Sequence, residues 1–239
     1  MSFLKIGHRG ARGYEPENTI RSFEKALSLG VDAIEFDIRA SKDGEIVVIH
    51  DATLDRTTNG VGFVRNHTLA ELRELNVGQS ERIPTLAEVL EKFGKRTIIN
   101  IEIKETGLAK QVLDLVRKYE LADSVIVSAF SKDDNYPRSS TWTDLFWLKT
   151  HEKKLKIGLA AYEKEWAERA VTFSGRDQMF PVDYLCFSAM AARWRLIQKA
   201  HEETDAKVLV WTVNNPFLAC WFRMIGADGV FSDYPDRII

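Results

Sequence analysis

The stretch Asp32-Ala33-Ile34-Glu35-Phe36-Asp37-Ile38 decides how this chain is read. Its apolar residues suit a strand, and residues two apart on a strand project to the same side. Glu35 and Asp37 therefore converge on one spot, while apolar residues occupy the other face. Like charges so placed repel strongly in a low dielectric unless a cation sits between them. Oxygen-only ligands suit a hard ion such as Mg²⁺ or Ca²⁺. The rival arrangement, an edge strand with both acids in solvent, fits the apolar neighbours less well.

The same grammar extends in both directions. Short apolar runs at 3–6, 33–39, 46–49, 97–103, 124–129, 156–160, 183–187, 208–213 and 229–231 alternate with longer amphipathic segments. Most are rich in Val, Ile and Phe, as strands buried on both faces of a parallel sheet require. Among the helical stretches, Ile20, Phe23 and Leu27 share a face, with Asn18 or Thr19 as N-cap and Gly30 as the stop. Leu86, Val89, Leu90 and Phe93 form a second face closed by Gly94, and Leu108, Val112, Leu115, Val116 and Tyr119 a third. Residues 131–141 read as loop and 142–150 as helix.

Strand–helix alternation of this kind implies an α/β fold with a parallel sheet, doubly wound or closed into a barrel. Gly7-His8-Arg9-Gly10 lacks the spacing of a dinucleotide-binding turn, which favours the (β/α)8 barrel. Eight strand slots fit, with 46–49 as an extra short strand inside an insertion. No repeat or linker divides the chain, so residues 1–239 are expected to form a single domain.

At 239 residues, 45% hydrophobic and 28% charged, the chain has an ordinary globular composition. A net charge of -2 argues against nucleic acid as a partner. The first apolar run ends at Gly7, too short for a signal peptide or a membrane span, so stable membrane insertion is not expected and the cytoplasm is the expected compartment. Cys186 and Cys220 sit in apolar surroundings and are expected to be buried free thiols.

Several residues bear chemistry. In Ile101-Glu102-Ile103-Lys104 a third carboxylate and a cation share a face. Glu102 can complete a metal site and Lys104 can hold a phosphate oxygen, although a surface ion pair is an equal reading of this segment alone. His8 and His50 each close an apolar strand, at the end where barrel active sites gather. Such a pair can divide general-acid and general-base work in phosphodiester cleavage. Arg9 offers a fork for phosphate, or a salt bridge to Glu15 or Glu17. Trp211 offers a flat wall to a small substrate, or a core aromatic. Asp233 is expected to cap or brace the last strand, and His67, His151 and His201 to be solvated.

Taken in order, His8-Arg9-Gly10, Glu15-Pro16-Glu17-Asn18-Thr19, Glu35-Phe36-Asp37, His50-Asp51, Asp55-Arg56-Thr57-Thr58-Asn59-Gly60, Glu102-Ile103-Lys104 and Trp211-Thr212-Val213-Asn214 resemble the glycerophosphodiester phosphodiesterase family, of the short bacterial type. The resemblance implies a TIM barrel with a small insertion at about 51–82, after the second strand. It implies Mg²⁺ or Ca²⁺ on Glu35, Asp37 and Glu102, and His8 and His50 as the acid/base pair. Arg9 and Lys104 would then contact phosphate, and Trp211 would stand near the glycerol of a small-molecule substrate. The implied reaction converts a glycerophosphodiester and water to glycerol 3-phosphate and an alcohol. In one route the glycerol 2-hydroxyl attacks first, and water then opens a cyclic phosphate. Residues 131–141 and 163–181 depart from the family pattern, which leaves the alcohol group open and admits two alternatives. One is a lysophospholipase D, and the other a non-catalytic barrel that binds phosphorylated ligands. Oligomeric state is left open.

Overall fold

The computed structural model describes residues 3–130, 142–175 and 182–238. The loop expected at 131–141 lies outside them. The strands are β1 (Leu4–Gly7), β2 (Ala33–Ala40), β3 (Ile46–Val48), β4 (Ile98–Ile103), β5 (Val125–Phe130), β6 (Lys156–Ala161), β7 (Tyr184–Ser188), β8 (Lys207–Trp211) and β9 (Gly229–Ser232). Sheet order runs β1-β9-β8-β7-β6-β5-β4-β2, and β1 pairs with β2, so eight strands close a parallel barrel. β3 lies antiparallel on β2, with Val48 opposite Ile38.

The helices are α1 (Ile20–Ser28), α2 (Leu69–Arg73), α3 (Leu86–Phe93), α4 (Ala109–Lys118), α5 (Trp142–His151), α6 (Lys164–Phe173), α7 (Trp194–Glu203) and α8 (Pro216–Met224). Sequence signals explain their starts. Thr19 caps α1 by accepting from Ser22 N, and Thr85 with Glu88 forms a capping box on α3. Asn18, the other candidate cap for α1, serves the barrel mouth instead. Between β3 and α3, Val47, Ile49, Leu54, Val64, Leu72 and Ile83 pack as a small satellite core under the insertion. After β9 the chain closes with a 3₁₀ turn at Pro235–Arg237.

Alternation along the strands divides the side chains into two populations. Ile34, Phe36, Ile38, Ile99, Ile101 and Val127 face outward into the main core beneath the helices. Ile6, Ala33, Ile126, Tyr184, Leu209 and Phe231, with Leu4 and Ile98, fill the barrel interior. That packing plugs the floor and leaves the positions nearer the strand C-termini for polar side chains, where barrel enzymes carry their sites.

Cys220 departs from expectation. Cys186 is buried as read, but Cys220 is exposed. Its apolar neighbours belong to a helix that turns Ala219 and Phe222 inward and leaves Cys220 outside. His201 is half-buried rather than solvated, with Nε2 2.9 Å from the Gly226 carbonyl.

Candidate active site

Register brings the acids together. Asp37 on β2 lies beside Glu102 on β4, and Glu35 beside Asn100. One oxygen from each of Glu35, Asp37 and Glu102 falls within 4.8 Å of the others. Glu35 and Asp37 are buried. Lys104 Nζ lies 3.0 Å from Asp37 and also contacts Glu102. Arg9 N donates to Glu35 Oε2 at 2.8 Å, and Asn18 Nδ2 donates to Asp37 Oδ2 at 2.9 Å. Beneath them, Ser128 Oγ donates to Asn100 Oδ1 at 2.8 Å.

Burial, and then the charges of Asp37 and Glu102, push the Glu35 carboxyl well above the usual carboxylate range. Burial likewise raises Glu102, although Lys104 pulls the other way. Burial also opposes the charge on Asp37, but Lys104, Arg9, His50 and the bond from Asn18 outweigh it and hold that carboxyl low. One of the three acids is thus firmly ionised while two are strained by their neighbours.

Both expected histidines line the same cleft. His8 Nδ1 lies 2.7 Å from Asp233 Oδ1, and His50 Nδ1 lies 2.6 Å from Asp51 Oδ1. Asp233 is itself held by Asn214 Nδ2 at 2.8 Å. Arg39 Nε donates to the His50 carbonyl at 2.8 Å, fixing the backbone of that residue. Burial lowers the affinity of His8 for a proton despite Asp233. It lowers His50 to about 4, because Lys104 and Arg9 help to outweigh Asp37 and Asp51.

The first loop is shaped by backbone that side chains rarely adopt. Gly10 has φ +81°, and a Cβ there would lie 2.4 Å from Ser22 Oγ. Arg9 and Asn18, both in this loop, hold positive φ without being glycine. Arg9 forms the salt bridge to Glu17 named as its alternative, at 2.7 Å, and still reaches Asp37 at 3.2 Å. Trp211 stands at the mouth, its ring 5.1 Å from Phe130 and 5.8 Å from Tyr162. The cleft is narrow, about 60 Å³, and opens to solvent.

The eight residues expected to bind or react therefore line one cleft: His8, His50, Glu35, Asp37, Glu102, Arg9, Lys104 and Trp211. Sequence reasoning missed the residues behind them. Asp51 could have been found from its place beside His50, and Asn18 from its polarity before a capping threonine. Asp233 as the partner of His8 had no local signal.

A parallel barrel with an acidic cluster and two carboxylate-held imidazoles at its C-terminal mouth is the build of a TIM-barrel hydrolase. The chain belongs to the glycerophosphoryl diester phosphodiesterase family, whose sequence model matches residues 8–237. It is 40% identical to a glycerophosphodiester phosphodiesterase of Bacillus altitudinis, over 98% of this chain and 96% of the relative. It is 34% identical to one of Caldanaerobacter subterraneus subsp. tengcongensis, over 100% and 97%. An Oleispira antarctica phosphodiesterase, solved in complex with the product sn-glycerol-3-phosphate, superposes with a TM-score of 0.79 at 28% identity, covering 99% of this chain and 96% of that one. Family membership sets aside the non-catalytic barrel.

Proposed function

We propose that this chain, working as one domain, hydrolyses glycerophosphodiesters to glycerol 3-phosphate and an alcohol, with His8 and His50 moving the protons. The observation that carries this reading is the paired bracing of the imidazoles. Each ring is engaged through Nδ1 by a carboxylate, which leaves Nε2 to exchange a proton in the cleft. His50, neutral above about pH 4, suits the base that takes a proton from the attacking hydroxyl. His8 suits the acid that returns one to the leaving alcohol, since Asp233 balances an imidazolium.

Glu35, Asp37 and Glu102 fit a divalent cation: they present hard oxygen donors within one ion's reach, and burial strains them without one. When bound, Mg²⁺ or Ca²⁺ there supplies charge stabilisation to the phosphoryl oxygens. Lys104 and Arg9 then serve the phosphate from the side. Arg9 Nε stands 3.2 Å from Asp37 Oδ2 without hydrogen-bond geometry, and its guanidinium is a cation suited to a phosphoryl oxygen. Trp211, with Phe130 and Tyr162, forms an apolar wall beside the substrate.

The decisive experiment measures glycerol 3-phosphate released from glycerophosphocholine with Mg²⁺ or Ca²⁺, and again after EDTA. Release that stops on chelation and returns with metal is expected. Full release after rigorous chelation overturns the metal role, and none under any condition overturns the reaction. The same aromatic wall favours a second substrate class, the lysophospholipids, tested by comparing acylated and water-soluble diesters side by side. The exposed free thiol of Cys220 suits the reducing cytoplasm as the working compartment.

A further inference from the structure

The rim of the barrel over α7 and α8 carries a chemistry that the cleft does not use. Residues 189–200 and 211–227 contain no aspartate or glutamate, but they contain Arg193, Arg195, Lys199 and Arg223. Both helices follow the C-terminal ends of their strands, so their first turns stand at the cleft end of the barrel. Charge is polarised along this part of the chain, with Arg193 and Arg195 at the cleft end and Glu202, Glu203 and Asp205 at the other. Arg193, Trp194 and Arg195 line a groove with Lys164 and Lys199. On neighbouring α6, Glu165 and Glu168 are matched by Arg169 at 2.9 Å and Lys164 at 3.4 Å.

The same rim leaves large apolar side chains in water. Met190 is 61% exposed, Trp194 56%, Phe217 84%, Trp221 51% and Met224 69%. On α8 the spacing of Phe217, Trp221 and Met224 puts them on one helical face, opposite the buried Ala219 and Phe222. Exposed apolar surface on this scale marks an interaction site. The patch continues into the cleft mouth. Ser188, which ends β7, pairs with Trp211 in register, and Met190 stands two residues beyond it.

Tryptophan, phenylalanine and methionine edged by arginine match one partner chemistry. At a bilayer surface, aromatic rings settle at the boundary of headgroup and acyl chain, while arginines meet anionic headgroups. A second copy of this chain matches less well. A two-fold contact through this rim would bring Arg193 and Arg195 of one copy towards those of the other, with no acid in these segments to separate them. We propose that the rim formed by the start of α7 and the outer face of α8 is a docking surface for bilayers that contain anionic phospholipid. Docking there turns the cleft mouth, with Trp211 and Tyr162, towards the lipid. No helix among the described residues is long and apolar enough to cross a membrane, so this contact is peripheral.

The test reads binding and is independent of the reaction proposed above. Purified protein is floated with vesicles of phosphatidylcholine alone, or with about a third phosphatidylglycerol. The protein is expected to float with the anionic vesicles only, and its tryptophan emission to shift to the blue as Trp194 and Trp221 leave water. F217S/W221S is expected to lose flotation, and R193Q/R195Q to bind about thirtyfold more weakly, from roughly one elementary headgroup attraction per arginine. Unchanged melting temperatures in both variants show that folding is intact, as exposed positions require. No flotation of the wild type, or equal flotation of F217S/W221S, overturns the proposal. So does a dimer in sedimentation velocity that F217S/W221S dissolves while vesicles bind nothing.

Discussion

Arg56 Nη2 donates to Glu17 Oε1 at 2.8 Å, which joins the segment after β3 to the loop after β1. Both partners have a second commitment. Arg56 Nε holds Asp51 at 2.6 Å, and Asp51 holds His50. Glu17 accepts from Arg9 at 2.7 Å and stands 3.8 Å from Arg12, which reaches Asp233 at 3.2 Å, the partner of His8. A line of alternating charges therefore runs from one imidazole to the other behind the cleft. Burial opposes the charge on Glu17, but Arg56 and Arg9 outweigh it and hold that carboxyl at about 2. The line stays ionised at any pH where the protein is expected to work.

Arg56→Met tests that line from its exposed end. Asp51 loses its hold and His50 its orientation, while the fold loses only a surface ion pair, worth little in stability. Turnover is expected to fall by about 10- to 100-fold, the range for partners that orient a ligand or catalytic ring from behind. KM and melting temperature are expected to change little, and Arg56→Lys to recover part of the turnover. Steady-state kinetics with a thermal melt check this. A normal turnover in Arg56→Met would show that Asp51 needs no support.

Asp233→Asn addresses the other imidazole. The amide keeps the bulk and an acceptor for Asn214, but it removes the charge that balances a protonated His8. Turnover is expected to fall by about 10²–10⁴, the value of one acid or base. A fall of less than about threefold would remove His8 from the proton-transfer role.

How much of this was legible follows from range. The barrel was readable because each strand is a local apolar run: the expected 33–39 and 97–103 are Ala33–Ala40 and Ile98–Ile103 in the structure. The acid cluster was readable because period two puts Glu35 beside Asp37 without knowledge of the fold. Pairings across long separations carry no such mark. Asp233 lies 225 residues from His8, and Arg56 lies 39 from Glu17, so their chemistry exists only once the barrel closes. Cys220 failed for a different reason: apolar neighbours do not tell a buried helix face from an apolar face left outside.

His50 contributes a share of stability that is expected to be lost as the medium becomes acidic. Its folded value of about 4 lies below the 6.5 of a free histidine. Between those values the unfolded chain binds more protons than the native one. That share is therefore complete above about pH 6.5 and is lost as pH falls towards 4. His8, also lowered by burial, acts in the same direction. Glu17 extends the loss below 4.5, since its folded value is about 2. Glu35 and Glu102, both raised by burial, act in the opposite direction, so the share of His50 is read as a difference. In metal-free buffer the melting temperature of His50→Gln should fall less steeply through this window than that of the wild type. An identical slope in the variant would show that the ring is not held neutral.

Glu35→Gln separates a metal ligand from a structural acid. Glu35, Asp37 and Glu102 face Arg9 and Lys104, three negative charges against two positive, so one negative charge is left over in a buried cluster. Burial and the neighbouring acids place that strain on Glu35 most clearly. Glutamine keeps the volume and an acceptor for the Arg9 N–H, and it removes the surplus charge. Metal-free Glu35→Gln is therefore expected to melt above the metal-free wild type. Mg²⁺ or Ca²⁺ at a hundredfold excess over its Kd should stabilise the wild type by about 2.7 kcal/mol, because it binds only the folded state. The variant should scarcely respond, and it should lose turnover. If instead it melts lower and still shifts with metal, Glu35 serves the fold through Arg9, and the cation is held elsewhere.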